Sequence, residues 1–196
     1  MTEKKPYYHR SQITDHRSGF TLIEMLVVIF IIATISTISI ANFRAGERQK
    51  RSVIASDVVT LALRNAQNYT LTSKQIANSS CIQGKTPQAY LMAFIGASAT
   101  TGSLYGIDKC NIANLIESYS LPTGTAISAY KIDLGVVANL QVEFTVPFAQ
   151  TTVSSNTTVN TGPFNSFSTA TVTVGLSDGT LARTITVDGV AGRIGE

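Results

Sequence analysis

The sequence predicts an α+β fold: one long N-terminal helix packed on a mostly antiparallel β-sheet head. Three observations predict it. Phe20–Phe43 reads FTLIEMLVVIFIIATISTISIANF, an apolar run whose only charged residue is Glu24. Helical spacing of apolar residues then continues to about Leu71. Downstream the hydrophobic period changes to two, most clearly over Leu140–Phe148. A long helix followed by a series of strands is the pattern of α+β architecture.

The first half of the helix is long enough to cross a membrane. Its 24 residues rise about 36 Å, against a hydrocarbon core of about 30 Å. A cleavable secretory signal would have a shorter apolar region followed by a small-residue cut site. Here the small residue, Gly19, precedes the run, so cleavage beside it leaves the helix on the mature chain. A plain anchor gives no reason for Glu24, since a carboxylate deep in a membrane costs roughly 2.5–3.5 kcal/mol. A cut after Gly19 supplies a partner. Phe20 would gain an α-amino group, and Glu24 stands one turn along the same face at i+4. The helix N-terminus also favours an acid there. The alternative is an acid tolerated near the membrane boundary.

Basic residues flank both ends: Lys4, Lys5, Arg10 and Arg17 before the run, Arg44, Arg48, Lys50 and Arg51 after it. The flanks therefore do not fix orientation by charge asymmetry. A short basic leader ordinarily stays in the cytoplasm, which places the N-terminus inside and the remainder outside.

Ser18-Gly19-Phe20-Thr21-Leu22-Ile23-Glu24-Met25-Leu26-Val27-Val28-Ile29 resembles the processing site and anchor of type IV pilins and type II secretion pseudopilins. The resemblance covers about the first 40 residues. It implies cleavage after Gly19 by a prepilin peptidase and N-methylation of Phe20. It implies that Glu24 registers a subunit against its neighbour's N-terminus in a helical filament. A pilin-like fold and assembly with other subunits through an inner-membrane platform also follow from it. Many members have proline in the stretch matching Ile40–Phe43. This chain has Ala41, so the helix is expected to run on without a break. The expected organisation is a cleaved leader (1–19), a transmembrane helix (20–43), its amphipathic continuation (44–72) and an extracytoplasmic β-rich head (73–196).

In the continuation, Ile54, Val58, Leu61, Asn65 and Asn68 trace one stripe, with Val59, Ala62, Ala66 and Tyr69 beside it. This face is expected to pack on the head. Arg44, Arg48, Lys50 and Arg51 stand where the helix leaves the membrane. They suit anionic lipid headgroups or acidic residues of neighbouring subunits, or form a solvated face.

The head reads as strands. Gln88–Ile95 is a short apolar run. Leu140, Val142, Phe144, Val146 and Phe148 alternate with polar residues or proline. Val172, Val174 and Leu176 alternate with Thr171, Thr173 and Gly175. The turn signal Ser177-Asp178-Gly179-Thr180 leads into Leu181–Val187, a hairpin. Thr151–Ser168 reads as a long exposed loop, and Asn111–Leu121, ended by Pro122, as a short helix. Cys81 and Cys110 lie outside the membrane in this topology, where they either pair as a disulfide or remain free thiols.

Composition narrows the function. Charged residues make up 14% of the chain and the net charge is +3, so bulk charge does not argue for nucleic acid. Both histidines, His9 and His16, stand in the leader. A mature chain cut after Gly19 would keep no His-based nucleophile pair or metal site. No phosphate-binding loop is present. The expectation is no enzyme, no cofactor and no metal.

Ile185-Thr186-Val187-Asp188-Gly189-Val190-Ala191-Gly192-Arg193-Ile194 resembles the C-terminal end of GspH/FimT-like minor subunits. Some such proteins serve DNA uptake, which makes Arg193 a candidate phosphate contact. An ordinary surface arginine is the preferred reading. Two functional classes stay open: a minor pilin or pseudopilin that builds a filament, and a pilus-tip protein that captures DNA in natural transformation.

Overall fold

The structure is a computed structural model that describes residues 19–77, 79, 81, 85–133, 135–155, 159, 169–189 and 192–195. Residues 1–18, with both histidines, and most of the Thr/Asn/Ser-rich stretch after Ser155 lie outside the described residues. The chain divides into two compact units, Met1–Phe43 and Arg44–Glu196. One helix, α1 (Leu22–Leu71), contributes to both.

The start of α1 is dictated locally. Thr21 precedes the first helical residue, and its Oγ1 accepts the Glu24 backbone N–H at 3.3 Å. Thr21-Leu22-Ile23-Glu24 thus follows the Thr-x-x-Glu pattern of a capping box. Within the first unit the apolar side chains are exposed. Its hydroxyls are satisfied by the helix itself: Thr34 donates to the Ile31 carbonyl at 2.8 Å, Ser36 to Ile32 at 2.7 Å and Thr37 to Ala33 at 2.9 Å. Such back-bonding lets hydroxyl residues sit in an apolar medium without orphaned polar groups.

The end of α1 is equally local. Ser73 adopts positive φ. Its N–H reaches the Thr70 carbonyl at 3.1 Å, and the Lys74 N–H reaches that of Tyr69 at 3.1 Å. This is a Schellman arrangement with serine in the position usually held by glycine. Lys74 Nζ lies 3.7 Å from the centre of the Tyr69 ring and covers the exit.

In the second unit the helix meets two antiparallel sheets. The first has strand order β3-β2-β1-β6-β7: β3 (Ala113–Ser120), β2 (Thr101–Asp108), β1 (Pro87–Phe94), β6 (Leu140–Thr145) and β7 (Gln150–Ser154). The second has order β10-β9-β8-β4-β5: β10 (Ile194–Gly195), β9 (Arg183–Asp188), β8 (Thr169–Leu176), β4 (Thr125–Ile132) and β5 (Gly135–Val137). One core joins them. Ala55, Val59, Ala62, Leu63 and Ala66 from α1 cluster with residues of both sheets, among them Tyr90, Phe144, Tyr130 and Val174. Four of the five helix residues are no larger than valine, which lets the helix lie close to the strands.

Four expectations are corrected. Only half of the expected face of α1 packs: Val59, Ala62, Ala66 and Tyr69 meet the core as expected, but the Ile54–Asn68 stripe beside them does not. Val59, Ala62 and Ala66 are buried with Ala55 and Leu63, while Ile54 is 40% and Leu61 54% exposed. Small residues won because the sheets demand close approach. Asn111–Leu121 is not a helix; it contains strand β3, paired antiparallel with β2 from Ile107↔Ala113 to Thr101↔Ser120. The turn before it has Asn111 at positive φ and its N–H on the Asp108 carbonyl at 3.0 Å. Hairpin pairing overrode a pattern that short segments do not settle. The Thr151–Ser168 stretch is not all loop, because β7 runs to Ser154 and pairs with β6 from Gln141↔Ser154 to Thr145↔Gln150. Finally, the alternating strand from Leu140 ends at Thr145. Val146 and Phe148 fall in the connection to β7, which contains a cis Val146–Pro147 bond.

The β8–β9 hairpin and the β1 strand lie where their patterns place them. Gly175 is required in that hairpin: a Cβ there would stand 2.9 Å from the Ala182 Cα, a backbone atom with little freedom to move.

Candidate functional site: the N-terminal segment and the helix base

Gly19 and Phe20 are exposed and precede the helix, and a Cβ on Gly19 would meet no atom within 4 Å. The Gly19–Phe20 junction is thus open to solvent, with no side chain at position 19. Phe20 is 75% exposed. Glu24 is exposed in the first turn of α1, where the unpaired N–H groups favour an acid. Thr21 was not singled out from sequence. Its signal was the Thr-x-x-Glu spacing, and it orients the turn that carries Glu24.

The four basic residues have separate roles. Arg48 forms an ion pair with Asp178 at the tip of the β8–β9 turn. Hydrogen bonds from the Thr180 hydroxyl and N–H, then the Arg48 charge, hold the Asp178 carboxyl below its ordinary range. Arg51 reaches Glu47 at 3.3 Å and the Thr123 carbonyl at 3.5 Å. Ser52, buried beside them, donates to the Leu181 carbonyl. Arg48, Arg51 and Ser52 thus bind the helix base to the β3–β4 and β8–β9 turns. Arg44 and Lys50 are exposed and make no ion pair among the described residues.

Cys81 and Cys110 form a disulfide with their Cα atoms 5.7 Å apart. Asp108 organises the turn on one side of it. Its carboxylate accepts the N–H groups of Cys110 and Ile112, each at 3.0 Å, the Ser79 hydroxyl at 2.7 Å and the Asn114 amide at 3.1 Å. Burial pushes the Asp108 pKa up, but these hydrogen bonds outweigh it and the net direction is down. Donor atoms of Cys81, Asp108 and Cys110 lie within 4.8 Å of one another. Both sulfurs are joined to each other, and each Asp108 oxygen already accepts two hydrogen bonds, so the cluster is a staple rather than a metal centre. Arg193 is exposed. Its carbonyl accepts the Asp188 N–H at 2.9 Å, which closes the turn into β10.

Residues 15–40 match the family model of the prokaryotic N-terminal methylation motif. Over that stretch the chain is similar to the N-terminal segment of type IV pilins and pseudopilins. No curated protein matches the chain, and no solved structure matches it. The motif spans the Gly19–Phe20 junction, Thr21 and Glu24, and the helix that bears it is long and apolar enough to cross a membrane. The long helix on antiparallel sheets is consistent with a pilin-like fold. This pilin-type N-terminus implies processing by a prepilin peptidase and assembly with other pilin subunits, and it fits anchoring in the inner membrane.

Proposed function

We propose that the protein is a structural subunit, a minor pilin or pseudopilin, that assembles through α1 into a pilus or a type II secretion pseudopilus. Cleavage after Gly19 leaves Phe20 as a methylated N-terminus. Glu24 then meets an α-amine, its own or a neighbour's, as the apolar segment leaves lipid for the filament core. Before assembly the segment spans the inner membrane with the leader in the cytoplasm and the β-rich unit outside. Arg44 and Lys50 are left to meet anionic headgroups or acidic neighbours, because Arg48 and Arg51 hold the helix base.

The observation that carries this reading is the second apolar stripe of α1. Ile54, Val58 and Leu61 do not enter the core; they line a surface hollow of about 360 Å³ between Asp57 and Arg64. A helix that is apolar on its packed face and again on its outer face has surface for a partner. DNA capture finds no comparable support. The candidate contact, Arg193, is exposed, and the bond described for it is made by its backbone carbonyl, which closes the turn into β10.

Mass spectrometry of the mature protein should find Phe20 at the N-terminus, carrying a methyl group. A chain beginning at Met1 in cells with active prepilin peptidase refutes the processing. Glu24→Val should still insert into membranes but should incorporate poorly into filaments. Leu61→Glu should fold normally and also incorporate poorly. Wild-type incorporation of both variants would overturn the assembly role of α1.

A further inference from the structure

Residues 67–71 of α1 lie about 35–40 Å along the helix from Arg44, at the far end of the second unit. There the helix end, the β6–β7 connection and the turn before β10 border an open hollow of about 380 Å³. It is lined by Gln67, Leu71, Phe148, Gln150, Thr151 and Gly192, with Ala149 at its floor. None of these residues is charged. The volume is in the range of small-molecule sites, roughly 300–1,000 Å³.

Two independent features point to a ligand class. The first is Phe148, which is 87% exposed at the rim, while its neighbour Ala149, at positive φ, is buried. The connection thus turns a methyl group inward and leaves a whole phenyl face in water. The second is the polarity of the lining. Gln67 spends an N–H on the Gly192 carbonyl at 2.9 Å, which leaves its side-chain oxygen as an acceptor. The Thr151 hydroxyl donates to the Ala149 carbonyl at 3.3 Å and keeps its lone pairs. Gln150 is exposed and offers both donors and an acceptor. A flat apolar face beside neutral acceptors suits a ring with C–H groups on one face and hydroxyl donors at its edge. Phosphate and carboxylate ligands are disfavoured, because the lining has no cation and its acceptors repel anions.

We propose that this hollow binds a neutral saccharide ring, stacked on Phe148 and hydrogen-bonded through Gln67, Gln150 and Thr151. The site belongs to the folded β-rich unit and does not depend on filament assembly.

The test uses the full chain in a zwitterionic detergent without a sugar headgroup. Saturation-transfer NMR is recorded with chitotetraose, cellotetraose and maltotetraose, and with a sulfated tetrasaccharide as the anionic comparison. At least one neutral oligosaccharide should give transfer to its ring protons. Phe148→Ala should weaken that binding about tenfold or more, and Gln150→Ala several-fold, with unchanged melting temperature. Val136→Ala, an exposed site on β5, should bind as wild type. The proposal is overturned if no neutral oligosaccharide binds, if Phe148→Ala binds as tightly as wild type, or if only the sulfated probe binds.

Discussion

Replacing both cysteines with serine should destabilise the fragment 44–196 by about 3.6 kcal/mol. The figure follows from the 29-residue separation of Cys81 and Cys110. Closing a loop of that length removes about 12 cal/mol/K from the unfolded ensemble in the chain-entropy description. For a unit of this size the melting temperature should fall by about 7–14 °C. The cross-link acts at a particular place: it ties the segment between α1 and β1 to the β2–β3 turn. Urea denaturation of the oxidised, reduced and Cys81→Ser/Cys110→Ser forms measures the loss. Hydrogen exchange at the Cys110 and Ile112 amides, both held by Asp108, separates global from local effects. The global stability should drop while these amides stay protected to the level of the new global value. A loss under about 1 kcal/mol would refute the loop-closure reasoning. It would mean that the unfolded chain already keeps the two segments close.

Other outcomes follow from buried groups. Burial pushes the Glu143 pKa from 4.5 up to about 7, partly offset by a hydrogen bond from Thr152. The folded state therefore holds this proton more tightly than the unfolded chain. Its contribution is fully present below about pH 4.5 and is lost as pH rises through about 7. Glu143→Gln should stabilise the fragment by about 1–2 kcal/mol at pH 8, allowing for partial exposure, and by almost nothing at pH 4; equal effects at both pH values would exclude a buried titrating acid. Leu63→Ala should cost about 3 kcal/mol in urea denaturation, since Leu63 has no exposed surface in the shared core. Asp108→Ala should cost about 3 kcal/mol or more by the same assay, because four donors lose their acceptor together. Asp108→Asn should recover only part of this, because an amide nitrogen cannot accept hydrogen bonds.

The contrast between α1 and the strands explains which features were readable in advance. The ends of α1 depend on contacts within four or five residues: Thr21 to Glu24, and Tyr69 and Thr70 to Ser73 and Lys74. The β8–β9 hairpin is also local, with its turn residues between two alternating runs. β3 is different. Ala113–Ser120 has no strict alternation, and it is a strand because β2 offers it an edge across the Asp108–Asn111 turn. Likewise β7 is polar in composition and is a strand because β6 is its neighbour.

The sequence by itself determined the apolar run that begins at Phe20, the place of Glu24 near its start and the extent of α1, because each rests on short-range chemistry along one chain. Only the tertiary structure decided which face of α1 is buried. Two apolar stripes lie side by side on that helix, and hydropathy ranks Ile54 and Leu61 above Ala62 and Ala66. The sheets chose the smaller side chains because close packing needs room for backbones to approach. That choice left the larger side chains on the outer face. The same packing set Arg48 on Asp178 and left Phe148 beside Gln150 at the far end, neither of which any local pattern specifies.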